Sequence, residues 1–410
     1  MKKLIALLLA LAMVLSLAAC GSKEPAAENA GTDAPAAEKS ETAAPETEKS
    51  ETAAPEAAEP EAEAPAYAPI KVGVLVADVS GEEALAFRAY YEEYLAPHYN
   101  VTLTYTEQLA DAAAEKAAIE QFAAQGYHAV ISLSSSDRAT QIETCAEYGL
   151  YYAIASGMDE ALYETYKENE FFVGQIGPSM TTEFEAGVAM GEYYKAQGVK
   201  KIGLYGAFCP NPMHVYRLAG TLVGLGLTYN GASDMEAVAG QLYAGFDLNA
   251  VAGDIEVVSY IAGYTDTMWD ELGAAMGQGI EAFISVGMAT TFFADMLNGA
   301  GVPYSDIDSF TSGNGNNIKE GSLTYLAGKY ASSVGPIFAA VVNACNGNAI
   351  RTAEGYALSI SQDYLVATDA ASFDACYSAD QGDTPIISTD VLDTVVGAGV
   401  TYEQFAAIVG

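Results

Sequence analysis

The sequence predicts an α/β protein of two lobes, each a parallel sheet with helices on its faces. Three observations predict it. From Ile70 onward, apolar runs of strand length alternate with segments of helical period, the pattern of parallel strands joined by helical crossovers. Those runs fall into two consecutive sets of five. The chain's 410 residues exceed what one hydrophobic core usually serves, and 51% of them are hydrophobic, enough to fill two.

The first set opens with IKVGVLVADVS at residues 70–80, a buried strand and its exit loop, followed by a helix through about Leu95. VTLTYTE begins at Val101; DAAAEKAAIEQFAAQG then forms a helix closed by Gly126, since glycine accepts the left-handed turn that ends a helix. AVISLS begins at Ala129, a helix ends near Gly149, LYYAIAS begins at Leu150, and FFVGQI spans 171–176. The second set starts with a helix from Thr181 to Gly198. Its strands are KIGLYGAF from Lys201, IEVVSYIAGY from Ile255, IEAFISVG from Ile280, DIDSFTSG from Asp306 and SLTYLAG from Ser322. The stretch 228–254, rich in glycine, alanine and acidic residues, has no clear period. Another helix follows Ala331 to about Asn346, and the last fifty residues mix short strands and helices.

The amino-terminal segment has a different character. Lys2 and Lys3 precede an apolar run from Leu4 to Ala19, a secretory signal over 1–19 that is too short for a comfortable membrane span. From residue 20 to 69 the composition shifts to alanine, glutamate, proline, serine and threonine, with half of the chain's 14 prolines. The string EKSETAAPE begins at Glu38 and again at Glu48 without a hydrophobic face. Such a segment cannot offset its conformational entropy by burial, so a disordered linker is expected.

Charge and composition exclude several functions. Seventeen Lys plus Arg against 54 Asp plus Glu leave a net charge of −37, so no cationic surplus exists to displace counterions from a nucleic acid. With three histidines, His98, His128 and His214, histidine-based metal or acid/base clusters are poorly supplied. No metal and no cofactor is expected. The chain lacks G-x-S-x-G, a G-x-G-x-x-G after its first strand, a phosphate-cradling G-x-x-x-x-G-K and H-E-x-x-H, so it does not read as an enzyme. Cys145, Cys209, Cys345 and Cys376 show no C-x-x-C spacing, and their disulfide state is open.

Several motifs carry a resemblance. LAAC at Leu17–Cys20 resembles a bacterial lipobox, whose cysteine is acylated and becomes the amino terminus of an extracytoplasmic, membrane-anchored protein. Together with the acidic linker and the two five-strand lobes, it looks like a type I periplasmic binding protein, the solute-binding component of an ABC importer. AGVAMGEYYKAQG at 186–198 is similar to the helix opening the second lobe in the ribose-binding branch. Arg217 and Gly220 match that branch's R-x-x-G, and IKEGSLTYLAGKY at 318–330 resembles its returning segment. SYIAGYTDTMWDELGAAMGQGIEAF, Ser259 to Phe283, is similar to the basic-membrane-protein branch, which handles nucleosides. The resemblance implies two Rossmann-like lobes joined by a multi-strand hinge, with lobe one over 70–176 plus about 330–355 and lobe two over 177–329 plus about 356–410. It implies a small ligand, a sugar or alternatively a nucleoside, held by lobe closure and passed to a permease. A sensor feeding a receptor is the other reading.

In open parallel sheets, ligands bind beyond the carboxyl ends of the strands. The candidate ligand-binding residues are therefore Asp78, Ser80, Ser135, Asp137, Ser156, Asp159, Asn211, Arg217, Tyr264, Asp266, Trp269, Met288, Asn314 and Lys329, with Ser134, Met158 and Asn316 beside them. Asp78, Ser80 and Asp137 are equally explained as helix caps, Arg217 as one half of an ion pair, and Trp269 as packing. Asn314 and Lys329 stand where the ribose branch carries an aspartate and a glutamine, which speaks against ribose itself. If Arg217 binds ligand, its replacement by alanine weakens binding and leaves the melting temperature of the empty protein nearly unchanged.

Overall fold

The computed structural model describes residues 67–133, 137–155 and 157–409. Cys20, the signal and nearly all of the linker lie outside the described residues, as do Ser134, Ser135 and Ser156.

The first lobe alternates as the apolar runs require: β1 (Ile70–Leu75), α1 (Glu82–Ala89) continued by a π-helical turn Tyr90–Leu95 and α2 (Ala96–Tyr99), then β2 (Val101–Tyr105), α3 (Ala112–Ala124), β3 (Ala129–Ser132), α4 (Arg138–Tyr148), β4 (Tyr151–Ala155), α5 (Glu160–Tyr166) and β5 (Phe172–Gly177). β3 and β5 are buried at every position, as expected for strands covered by helices on both faces. The second lobe repeats the scheme: α6 (Met180–Ala196), β6 (Lys201–Tyr205), α7 (Pro212–Gly224), then β7 (Thr228–Tyr229), α8 (Met235–Leu242) and β8 (Val251–Ala252). It continues with β9 (Glu256–Ile261), α9 (Met268–Gly277), β10 (Ala282–Ser285), α10 (Ala289–Ala300), β11 (Tyr304–Ser309), α11 (Ser312–Glu320) and β12 (Leu323–Lys329). The stretch that lacked a period thus holds helix α8 and a two-stranded antiparallel ribbon of β7 and β8.

The remaining chain is α12 (Gly335–Cys345), β13 (Leu358–Ser361), β14 (Leu365–Ala367), α13 (Ala370–Asp380), α14 (Thr389–Asp393) and α15 (Tyr402–Ala406). The sheets run β13-β5-β4-β3-β1-β2 and β14-β12-β11-β10-β6-β9. All their pairings are parallel except that of β12 with β14. The first five strands of each lobe share one topology, and a short strand from the carboxyl-terminal segment completes each sheet.

That segment departs from the expected assignment of 356–410 to lobe two. β13 joins the first sheet, only β14 and α13 join the second lobe, and Ile387, Leu392, Val395, Phe405 and Val409 pack into the first lobe's core. Strands of four and three residues carry too little pattern to show which core they enter. The chain consequently passes between lobes at four places, after β5, β12, β13 and α13. Side chains tie the crossings together: Ser361 Oγ lies 2.6 Å from Thr182 Oγ1 and 3.0 Å from Ser179 Oγ, and Gln362 Nε2 donates to Ser333 O at 3.1 Å.

Helices α6 and α7 approach unusually closely, through glycine. A Cβ at Gly187, Gly191, Gly220 or Gly224 would stand 2.1, 2.5, 2.0 or 2.1 Å from a backbone oxygen of the facing helix. The spacing of four on both helices aligns these positions on one face. Among the described residues no helix is long and apolar enough to cross a membrane, and Cys145, Cys209, Cys345 and Cys376 are free thiols.

Candidate functional site

Each sheet places one strand out of chain order. β1 lies between β2 and β3, and β6 between β9 and β10, so the loops leaving these carboxyl ends diverge and open a crevice on each lobe. Ala207 (φ 46) and Met288 (φ 63) sit in the second lobe's two loops. Left-handed backbone at non-glycine residues persists only where surroundings enforce it, and it gathers at binding loops.

A cavity of about 660 Å³ is shared by the two lobes, within the range of small-molecule sites, roughly 300–1,000 Å³. Lobe one lines it with Asp137, Arg138, Met158 and Asp159, lobe two with Asn211 and Met213. Three of these cap helices. Asp137 accepts from Thr140 N at 3.0 Å and Thr140 Oγ1 at 2.7 Å, Asp159 Oδ1 from Leu162 N at 3.0 Å, and Asn211 Oδ1 from Met213 N at 3.1 Å. Capping and cavity lining therefore coincide. Asp159 uses one carboxylate oxygen in its cap and Asn211 only its amide oxygen, so an acceptor and a donor remain. The Thr140 N–H and hydroxyl hold Asp137 below the usual carboxylate range.

Arg138, absent from the sequence-based set, directly follows Asp137 at the first position of α4. Its Nε is buried and has no partner among the described residues. Arg138 lines the cavity, and a planar guanidinium there is a ready contact for a ligand oxygen.

The other candidates lie apart from this cavity. Asp78 lines a separate cavity of about 140 Å³ with Glu83, Arg88 and Tyr105. There it accepts from Ser80 N at 2.9 Å and Gly81 N at 3.1 Å, and Ser80 Oγ donates to it at 3.3 Å. Those backbone bonds lower its pKa. Asn314 is buried, its Nδ2 donating to Ser309 O at 2.7 Å while Oδ1 has no partner among the described residues. Lys329 Nζ reaches Glu83 Oε1 at 3.0 Å. Asp308 lies among Glu83, Asn314 and Lys329, and burial first, then Glu83, raise its pKa. Tyr264, Trp269 and Phe292 form an aromatic cluster on lobe two, where Trp269 Nε1 donates to Phe292 O at 3.0 Å. Asp266 and Asn316 are exposed, and Met288 stands at the N-cap of α10. None of these lines the shared cavity.

Arg217 sits in the interior. Nε donates to Glu183 Oε2 at 2.6 Å, NH1 to Val286 O at 3.1 Å and Ile307 O at 3.0 Å, and NH2 to Tyr364 OH at 2.7 Å and Glu183 Oε1 at 3.3 Å. All five N–H donors are used, and both charged partners are buried. The expectation that its loss would spare the empty protein does not survive this geometry, because it rested on an accessible side chain. His214, one helical turn before it, is also buried. Burial and Arg217 pull its pKa down to about 3, and the neutral ring's Nδ1 has no partner among the described residues.

Asp306 carries a pH prediction. Burial and Asp308 push its carboxyl up to about 7, above an unfolded value of about 3.9. A carboxyl raised on folding contributes stability that is complete below the unfolded value and lost as pH rises through the folded one. Asp306→Asn should therefore abolish a loss of roughly 3–4 kcal/mol between about pH 4 and pH 7, read from urea denaturation of wild type and variant. Parallel pH profiles for the two proteins would refute it.

Among the described residues no cluster of three or more histidine, cysteine or acidic groups could hold a metal ion. The fold and the paired crevices define the class of architecture: it is that of the type I periplasmic binding proteins. No family model and no curated protein matches the chain, but solved structures do. One is an ABC transporter solute binding protein from Bacillus halodurans C-125 with bound myo-inositol, 16% identical, TM-score 0.53, covering 75% of this chain and 96% of that one. Another is the periplasmic binding protein component of the arabinose ABC transporter from Shewanella sp. ANA-3, bound to α- and β-L-arabinofuranose, at 17% identity, TM-score 0.53, and 76% and 95% coverage. A third is the substrate-binding protein of a sugar ABC transport system from Bordetella parapertussis 12822, at 14% identity, TM-score 0.55, and 77% and 93% coverage. All three are described as solute- or substrate-binding proteins of ABC transporters.

Proposed function

We propose that this protein is a membrane-anchored, extracytoplasmic solute-binding lipoprotein that captures a sugar between its lobes and delivers it to the permease of an ABC importer. The observation that carries this reading is the cavity shared by both lobes at their paired strand crevices. A ligand touching both walls favours the closed arrangement over the open one by the contacts made only there. The walls offer the Arg138 donor, the second Asp159 oxygen and the Asn211 amide, a set suited to ring hydroxyls. Carboxylates outnumber cations among the lining residues, which disfavours an anionic ligand. The neighbours with bound myo-inositol and arabinofuranose support a neutral polyhydroxylated ring. The described lining residues include no aromatic pair to sandwich a base, so a sugar has more support than a nucleoside. The Leu17–Cys20 tetrad supports acylation at Cys20 as the anchor.

Calorimetric titration of the protein with neutral hexoses, pentoses, myo-inositol and nucleosides tests this. Saturable binding of a polyhydroxylated ring is expected. Arg138→Ala should weaken it roughly 10- to 100-fold, the worth of a hydrogen bond to a charged group, with an unchanged melting temperature of the empty protein. Binding of nucleosides alone, or sugar binding indifferent to Arg138, would overturn the assignment.

A further inference from the structure

The lobes also meet directly, through residues that do not line the shared cavity. Glu82 and Glu83 occupy the first turn of α1 in lobe one, and among the described residues every long-range hydrogen-bond partner of their side chains is in lobe two. Glu83 accepts from Lys329 Nζ at 3.0 Å and from Ser309 Oγ. Glu82 accepts from Ser312 Oγ at 2.8 Å, from Ser312 N and from Tyr377 OH at 3.2 Å. The partners come from the ends of β11 and β12, the start of α11 and the body of α13, so these two adjacent carboxylates engage four elements of the other lobe.

We propose that Glu82 and Glu83 are a latch that holds the lobes together on the α1 side while the ligand cavity between α4, α5 and α7 is still empty. The physical basis is an asymmetry in what closes each flank. On the cavity flank the caps Asp137, Asp159 and Asn211 bond within their own lobes, and among the described residues no side-chain hydrogen bond joins the two walls. On the α1 flank the protein bridges itself. Charge supports the assignment: Ser312 N is an orphan donor of the first turn of α11, where a helix favours an anionic partner. The Glu83–Lys329 pair is also three-quarters shielded on its lysine side, so it is less screened than a surface pair. Removing the latch lowers the closed fraction, and apparent ligand affinity falls in proportion to that fraction.

The inference rests on the two-lobe closure of the proposed function but is tested without any ligand, so the failure of either is seen separately. Small-angle X-ray scattering of the ligand-free full chain is compared between wild type and Glu82→Ala/Glu83→Ala. The variant should show a radius of gyration larger by about 1 Å, from opening of the lobes, with unchanged far-ultraviolet circular dichroism. A lobe-two counterpart, Ser312→Pro/Lys329→Met, should reproduce the expansion. Proline is well tolerated at the first position of a helix, and it removes both Ser312 donors while leaving both glutamates in place. Superimposable scattering from wild type and both variants overturns the latch, as does expansion in only one of them.

Discussion

Arg217→Ala should destabilise the ligand-free protein by about 3–5 kcal/mol, the effect of leaving one partner of a buried ion pair alone. Glu183 would keep its charge in the interior with only Tyr364 OH, at 2.9 Å, to bond it. The carbonyls of Val286 and Ile307, at the ends of β10 and β11, would lose their donor at the same time. Urea denaturation followed by circular dichroism measures the loss. The double variant Glu183→Gln/Arg217→Met should recover a large part of it, because no unpaired charge remains. If the single variant unfolds at the wild-type urea midpoint, the interior placement of Arg217 is wrong.

Gly220→Leu should be the most damaging substitution on α7. Its Cβ would fall 2.0 Å from Phe184 O and 2.9 Å from Val188 N, with no flexible side chain to yield. Overpacking typically costs 1–3 kcal/mol, and a clash against backbone belongs at about 3 kcal/mol or above. Forcing α6 from α7 would also draw Glu183 away from Arg217, so the two effects compound. Gly240→Ala in α8 is the control. Its Cβ meets nothing within 4 Å, and the exchange should stabilise by about 0.5–1 kcal/mol through helix propensity and lost unfolded-state freedom. Equal urea midpoints for the Gly220 and Gly240 variants would rule out the close helix contact.

The alternation of strands and helices was legible in the chain because a buried parallel strand is a continuous apolar run, and its period differs from that of the helices between. Loop position was legible too. Asp137, Asp159 and Asn211 lie in the loops after β3, β4 and β6, and the same residue types that cap a helix line a crevice made of helix starts. Arg138 was within reach of that logic, one position beyond the cap. The composition and first twenty residues set the class of function to be sought.

Which core the last fifty residues enter was not legible, since strands of three and four residues have no period to read. Nor was the role of Arg217: R-x-x-G marks a position on a helix, and only packing against Glu183 and Tyr364, 34 residues before it and 147 after, turns it inward. The meeting of Glu83 with Lys329, 246 residues apart, is likewise a product of lobe placement. Local sequence determined what each element is, because propensity and period act over neighbouring residues; the pairing of charges across lobes was decided by how two cores come to rest against each other.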